Sequence, residues 1–261
     1  LVLEEIKGRP PVMPRDLPRI AACLAAIHSL PVPHPAERPP LVNHADPVAG
    51  TLDFIANQAT FLDKAGVIGA ARSAIIDEID WACAFAAETK GKDQPVTLVA
   101  TDTHPGNYIV EAAGPRAGKA ILVDVEKMLY GAPGIDLAHA TLYTSTTWDR
   151  EAAFELSIDA VACAYETWAQ AVGEGIAAPC RSAMVPLREL MWLWSVTWCA
   201  KWLAESDNQT GRGGDGEDWS KHHSDDTLIA HVQGRVNDYL NPRTIERMLA
   251  ELYALQGALA G

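Results

Sequence analysis

Hydrophobic residues recur every three or four positions along most of the chain, which is the spacing of one face of an α-helix. One clear stripe runs from Phe154 through Trp168 to Val172. Another stretch, 183–203, is apolar on nearly every side and holds four tryptophans, as expected of a buried central helix. The pattern predicts helices over 16–28, 51–64, 70–89, 154–172, 183–203, 225–240 and 243–259, and Asp16 is predicted to cap the first of them.

Three short apolar runs in the middle of the chain have the length and composition of β-strands. They cover 96–99, 108–110 and 121–123, and a turn rich in Gly and Pro at 114–118 separates the second run from the third. Two such runs around a turn predict a β-hairpin. With helical patterns before and after them, the sequence predicts an α+β fold that is mainly α and has one small antiparallel hairpin.

Oxygen-bearing side chains lie at the ends of these predicted strands. Asp102 and Asn107 flank a turn that contains His104, and Asp124 follows the third run. Phosphoryl transfer requires a carboxylate beside the attacking hydroxyl and hard oxygen ligands for Mg²⁺. The spacing from Asp102 to Asn107 equals that of the Asp and Asn in a kinase catalytic loop. A polar turn next to an unrelated acid is the alternative interpretation, and the spacing alone leaves both open.

Three motifs around these residues resemble the aminoglycoside phosphotransferase and choline kinase-like superfamily. They are DTHPGN at 102–107, LVDVE at 122–126 and GIDLA at 134–138. The resemblance extends over most of the chain, although its specific motifs lie between about 98 and 140. One departure precedes the first motif, where the family usually has His-Gly and this chain has Ala100-Thr101.

The resemblance implies a role for each polar residue and a protein-kinase-like fold. Asp102 would be the catalytic Asp, and Asn107 and Asp124 would bind Mg²⁺ beside the phosphates of ATP. Asp136 would be a structural acid beneath the loop, and His104 would give structural support. The implied activity is transfer of a phosphate from ATP to a hydroxyl of a small molecule, such as an aminoglycoside or a choline-like acceptor.

The first residues resemble the hinge that joins the two lobes of such a kinase. Residues 1–9 form an apolar stretch that ends at Gly8 and is followed by prolines. No glycine-rich phosphate loop and no strand lysine lie ahead of it. By this resemblance, residues 1–261 are a C-lobe whose N-lobe is absent and would pack on 1–9. We therefore expect this chain alone to bind ATP poorly and to transfer no phosphate.

Composition excludes several other classes of protein. A formal charge of −13 argues against a nucleic-acid partner, whose phosphates require Lys and Arg. The charge is compatible with a cationic acceptor, although acidic surfaces also commonly serve solubility. The five cysteines form no paired motif, and no apolar run is long enough to span a membrane. We therefore predict a cytoplasmic protein with no membrane partner and with free thiols.

Two further interpretations remain open at this stage. The chain could be a non-catalytic, pseudokinase-like binding module, or a metal-dependent hydrolase that uses Asp102, His104 and Asp124. The tryptophans of 183–203 belong to the core or form an aromatic cage for a quaternary ammonium group. An acidic, glycine-containing segment at 205–226 reads as a solvated loop or as an acidic margin of a pocket.

Overall fold

Helices form most of the computed structural model, which describes residues 5–206 and 226–259. The helices are α1 (Leu17–His28), α2 (Pro47–Ala59), α3 (Gly69–Thr89), α4 (Gly134–Thr141), α5 (Tyr143–Thr146), α6 (Ile158–Val172), α7 (Glu174–Cys180), α8 (Met184–Ser206), α9 (Asp226–Tyr239) and α10 (Pro242–Leu259). The mainly helical prediction is confirmed. The acidic segment lies almost wholly outside the described residues, as do residues 1–4 of the predicted hinge.

Most of the predicted helices are present, with shifted ends that have local causes. The helix predicted over 154–172 begins only at Ile158, because the hydroxyl of Ser157 accepts a hydrogen bond from the Ala160 amide and starts the helix there. Helix α2 begins at Pro47, after Asp46 accepts a bond from the Ala49 amide. Both starts follow ordinary capping chemistry.

Asp16 was expected to cap α1 through its side chain, and that prediction is wrong. Its carboxylate makes no capping bond and is fully buried. It accepts instead from Arg9 at 2.6 Å, from Arg19 at 2.7 Å and from the Val12 amide at 2.8 Å. Since these donors reach Asp16 from both sides of the helix start, the carboxylate fastens the entry segment to α1.

Two small sheets hold the polar loop. The first has the order β1 (Gly8–Arg9), β4 (Tyr108–Glu111) and β5 (Ala120–Leu122), all antiparallel, so the predicted hairpin is confirmed. The second has β2 (Val42–Asn43), β6 (Leu129–Gly131) and β3 (Thr97–Val99), with β2 parallel and β3 antiparallel to β6. Strands β2 and β6 were not predicted from the sequence.

Helix α8 occupies the centre of the helical layer, as its all-round apolar pattern predicted. It packs against α2, α3, α4, α9 and α10. Trp192 is 1% exposed within this core, whereas Trp194, Trp198 and Trp202 are only partly buried. Three of the four tryptophans therefore lie at the edge of the core. Among the described residues, no helix has the length and apolar content needed to cross a membrane.

Candidate active site

The polar loop after β3 rests on one buried carboxylate. Asp136, in the first turn of α4, has no exposed surface. Its two oxygens accept from the amides of Ala100 and Thr101, each at 2.8 Å. Because a buried carboxylate must be satisfied by donors, these bonds fix the backbone immediately before Asp102. The structure thus places Asp136 beneath the loop.

A third donor to Asp136 comes from the end of α1. His28 Nε2 lies 3.1 Å from the Asp136 carboxylate, and the indole N–H of Trp168 donates to His28 Nδ1 at 2.9 Å. Since an indole nitrogen can only donate, Nδ1 must accept, and the proton of the neutral ring lies on Nε2. His28 therefore donates to Asp136 as an uncharged ring and connects α1, α4 and α6 below the loop.

Thr101 stands where the family that this chain resembles usually has glycine. The backbone conformation at this position explains the preference for glycine. Its φ is 63°, in the left-handed region that β-branched residues rarely adopt. The Asp136 bond to its amide and a 3.1 Å bond from its hydroxyl to the Lys127 carbonyl hold it there. The loop keeps the backbone shape that favours glycine without having a glycine.

The rest of the loop is fixed by its own side chains and by His139 of α4. Thr103 donates its amide to His139 Nδ1 at 2.9 Å, and His104 Nδ1 accepts from the Gly106 amide at 3.1 Å. The Asn107 side-chain amide donates to the Asp102 carbonyl at 3.0 Å. This bond uses the NH₂ group of Asn107, which leaves its side-chain oxygen as the atom suited to bind a cation.

Asp102 is held at the surface of the loop by a lysine that the sequence analysis did not single out. Lys127 Nζ donates to one Asp102 oxygen at 2.9 Å, and His104 Nε2 lies 3.8 Å from the other. Burial raises the pKa of Asp102, but the neighbouring cationic groups outweigh it and leave the pKa below its usual value. Asp102 is therefore ionised at neutral pH.

His139 shares this pocket but contributes no charge at neutral pH. Burial lowers its pKa to about 4, and its Nδ1 is already occupied as an acceptor from the Thr103 amide. Burial also lowers the pKa of His104. The positive charge that remains next to Asp102 is consequently that of Lys127.

Asp124 has the opposite surroundings to Asp136. It is exposed, and its φ of 63° turns the chain sharply at the end of the hairpin. A hydrogen bond with Asp124 raises the pKa of Glu126, so the two acidic side chains meet. Two carboxyl groups in contact favour either a shared proton or a bound cation.

Asp102, Asn107 and Asp124, the three residues expected to work together, line one cleft, and His104 lines it as well. The side-chain oxygen of Asn107 and the carboxylate of Asp124 are the hard donors that Mg²⁺ prefers, so the donor set fits this ion. No group of three or more His, Cys, Asp or Glu suited to a metal occurs among the described residues. The candidate donors are thus limited to Asn107 and Asp124, and so small a protein contribution is usual where Mg²⁺ is also held by phosphates.

The cleft also has a wall that contains Trp194 and Trp198, two of the tryptophans for which the sequence left open a place in the core or in an aromatic cage. This wall is formed by residues of α5, α8 and α9 and by one residue that lies two positions after α5; they are Thr144, Ser145, Trp148, Trp194, Trp198 and Tyr239. Lys127 follows Asp124 by three positions on the same loop, and this short spacing could have identified it from the sequence. The wall residues gave no such signal, since only packing brings them to Asp102.

Comparisons with known proteins give the family and the fold of this chain. A family model described as the phosphotransferase enzyme family matches residues 2–171, a range that contains Asp102, Asn107, Asp124 and Asp136. A search of curated proteins found no match.

Solved structures of kinases share the fold at low sequence identity. An ethanolamine kinase from Plasmodium vivax is 13% identical with a TM-score of 0.57, over 92% of this chain and 65% of that one. A choline kinase from Cryptosporidium parvum is 12% identical with a TM-score of 0.50, over 99% of this chain and 74% of that one. This chain thus spans just under two thirds of the length of the ethanolamine kinase. By its match to the family model over more than half of its residues, the chain belongs to the phosphotransferase enzyme family.

Proposed function

We propose that this protein transfers a phosphate from ATP to a hydroxyl group of a small molecule. The observation that carries the proposal is that Asp102, Asn107 and Asp124 line one cleft in a chain of this family. Phosphoryl transfer depends mainly on positioning and on neutralising charge, and these residue types supply both. The printed names of the similar structures, an ethanolamine kinase and a choline kinase, are compatible with an alcohol acceptor.

Asp102 is the group that orients the acceptor. Its ionised carboxylate accepts a hydrogen bond from the acceptor hydroxyl and takes up the proton as the oxygen attacks the γ-phosphorus. A bond forms between the alcohol oxygen and phosphorus, the bond from phosphorus to the bridging oxygen breaks, and ADP leaves. Asp136 acts through the loop, because it holds the two amides that precede Asp102.

Asn107 and Asp124 are the residues that would hold Mg²⁺. The ion, when bound, neutralises charge on the phosphate oxygens. The chain would contribute these two oxygen ligands. It also contributes the hydrogen bond from the Asn107 side chain to the Asp102 carbonyl, which fixes the position of the metal ligand relative to the base. Lys127 supplies a positive charge at the same point, 2.9 Å from the base.

In this proposal residues 1–261 act as the C-lobe of the kinase-like site, with 1–9 at its hinge. The cleft includes no glycine among its described lining residues, whereas kinases cover the nucleotide phosphates with a glycine-rich loop. We therefore expect this chain alone to bind Mg·ATP weakly and to lack measurable transfer. Calorimetric titration measures this, and a micromolar dissociation constant for residues 1–261 would contradict it.

The metal site gives a test that needs no turnover. Mn²⁺, a paramagnetic substitute for Mg²⁺, is titrated into the chain and its free fraction is read by electron paramagnetic resonance. Asp124→Asn should weaken binding by about tenfold or more, because it removes the negative charge from this pair of ligands while keeping an oxygen at the same position. Asp53→Asn, an exposed change outside the cleft, is the control. Equal binding by both variants would remove Asp124 from the site.

Turnover is tested in the product of the complete gene. Loss of the base in Asp102→Asn should lower the rate of phosphate transfer by about 10²–10⁴-fold, the usual contribution of general acid–base catalysis. Transfer is followed by ³¹P resonance with a set of small alcohols. An unchanged rate in Asp102→Asn would refute the role of Asp102.

One observation favours a second candidate, a binding module without catalysis. Lys127 occupies an oxygen of Asp102 that a catalytic base would need, and Thr101 replaces the usual glycine of the loop. Such a module would bind Mg·ATP in the complete gene product and transfer no phosphate to any alcohol. The two candidates are thus separated by the turnover test.

A further inference from the structure

Six of the residues that line the cleft form a group that we call the aromatic chamber. They are Thr144, Ser145, Trp148, Trp194, Trp198 and Tyr239. These six residues and Asp102 line the same cleft. A molecule with its hydroxyl at Asp102 would therefore place its body between these side chains.

The indole rings of the chamber are held in fixed orientations. Phe54 stacks on Trp194 with ring centroids 5.1 Å apart and planes 5° apart, which covers one face of that indole. Trp148 and Trp198 meet edge to face, with centroids 5.6 Å apart and planes at 83°. Rings braced in this way form flat, rigid apolar walls.

The charged residues among the described lining of the cleft do not belong to the aromatic chamber. Asp102, Asp124 and Lys127 are charged, and Asp102 already pairs with Lys127. The chamber residues carry no carboxylate among the described lining. A cationic group in the chamber would lose its water without gaining an anionic partner, which is unfavourable. Ring faces attract cations, but several of these faces are already engaged with other rings.

Two hydroxyls of the chamber lack partners. Thr144 and Ser145 are 5% and 3% exposed, and neither hydroxyl makes a hydrogen bond within the described part of the chain. Buried hydroxyls are normally paired, so an unpaired couple beside a cavity indicates a partner that the protein itself does not supply. A ligand with one polar group on an otherwise apolar body would satisfy them.

We propose that the aromatic chamber binds the acceptor as an uncharged alcohol with a flat apolar body, whose polar group pairs with Thr144 or Ser145. This inference rests on the proposed function and names the acceptor class for it. It differs from a cationic acceptor, which the acidic composition of the chain had left open.

A matched pair of probes tests the charge of the acceptor. Phenylpropanol with a terminal hydroxyl and phenylalaninol have the same skeleton and differ by one amino group, which is protonated at neutral pH. Three tryptophans line the chamber, so intrinsic fluorescence reports binding without nucleotide or turnover. We expect the neutral alcohol to bind about tenfold more tightly than the amine. Equal or tighter binding of phenylalaninol, or no binding of the neutral alcohol, would overturn the proposal.

A matched pair of variants tests the location. Ser195→Phe introduces a ring into the cleft lining, at the position next to Trp194, without removing an existing ring, and should weaken phenylpropanol binding by about tenfold or more. Ser182→Phe places the same ring at an exposed position outside the cleft and should leave binding unchanged. Circular dichroism confirms that both variants fold. If Ser195→Phe binds as well as the parent chain, the chamber is not the site.

Failure of this inference is distinguishable from failure of the proposed function. Phosphate transfer that depends on Asp102 and prefers phenylalaninol over phenylpropanol would overturn the acceptor class and leave the function intact. Binding of phenylpropanol that Ser195→Phe removes, with no transfer by the complete gene product, would support the chamber and overturn the function.

Discussion

Asp136 and Asp124 are the same residue type in neighbouring motifs, yet the structure gives them opposite surroundings. Asp136 has no exposed surface and accepts from two amides and one imidazole. Asp124 is exposed, adopts a φ of 63° and meets a second acid, Glu126. A buried carboxylate that accepts three hydrogen bonds from the protein maintains the shape of the loop, whereas an exposed carboxylate beside another acid is available to a cation.

The largest effect should come from removing the buried acid. Asp136→Ala leaves the amides of Ala100 and Thr101 and the His28 ring without a partner. Unpaired buried donors are costly, so we expect the free energy of unfolding to fall by about 4 kcal/mol. Urea denaturation followed by tryptophan fluorescence measures the loss.

The exposed acid provides the matched comparison. Asp124→Asn keeps a residue that tolerates a positive φ and relieves the contact between two acids, so the free energy of unfolding should change by less than about 0.5 kcal/mol. If this variant loses as much stability as Asp136→Ala, the contrast between the two aspartates is wrong.

A second buried acid extends the comparison to pH. Burial raises the pKa of Asp16, but the hydrogen bonds from Arg9 and the Val12 amide and the charges of Arg9 and Arg15 outweigh it and lower the pKa to about 2. A depressed pKa stabilises the fold above about pH 4, the unfolded value, and that stability is lost as the pH falls through the folded value. We expect Asp16→Asn to lose about 1.5 kcal/mol at neutral pH, a figure reduced because Arg9 and Arg19 are partly solvated.

The pH dependence itself is the measurement for Asp16. The difference in unfolding free energy between the parent chain and Asp16→Asn should shrink as the pH is lowered from about 4 towards 2. Urea titrations at a series of pH values report it. A difference that stays constant over this range would show that the carboxylate charge is not what stabilises the segment.

Substitutions of Thr101, the loop residue with a positive φ, should change the free energy of unfolding by a smaller amount. Thr101→Ala and Thr101→Gly both remove the hydroxyl bond to Lys127, but only glycine relieves a φ of 63°. The glycine variant should therefore be more stable than the alanine variant by about 1 kcal/mol. Thermal unfolding of the two variants side by side isolates the backbone contribution, and equal midpoints would indicate that the loop relaxes.

The smallest expected effect is electrostatic and local. Lys127→Met removes the charge 2.9 Å from Asp102, so the pKa of Asp102 should rise, with little change in stability. Carboxyl ¹³C resonances titrated with pH measure the pKa. Lys119→Met, at an exposed position, is the control and should leave it unchanged. No shift in Lys127→Met would assign the low pKa of Asp102 to other neighbours.

The parts of this molecule that the sequence predicted are those set by short stretches of chain. Helix α1, the hairpin of β4 and β5, and the grouping of Asp102 with Asn107 each depend on local spacing. The hairpin also brings Asp124 back towards the loop, because Val123 donates to the Asn107 carbonyl at 2.9 Å.

The parts that the sequence did not predict depend on distant pairings. Strand β6 is three residues long and is defined by partners on both sides, so it has no pattern of its own. Trp168 and His28 are 140 positions apart in the chain. The sequence of α8 does not distinguish a tryptophan that faces the core from one that faces the cleft. Which of the two it faces depends on where α5 and α9 pack.

The bond from Trp168 to His28 carries a consequence for how this sequence can diverge. Each of the three buried side chains has a fixed role in hydrogen bonding. Trp168 donates a hydrogen bond to His28, His28 donates another to Asp136, and the Asp136 carboxylate only accepts. Replacing any one of them leaves a hydrogen-bond donor or acceptor of its neighbour buried without a partner. We therefore expect positions 28, 136 and 168 to change together among homologous proteins, as one inherited unit that no short motif reveals.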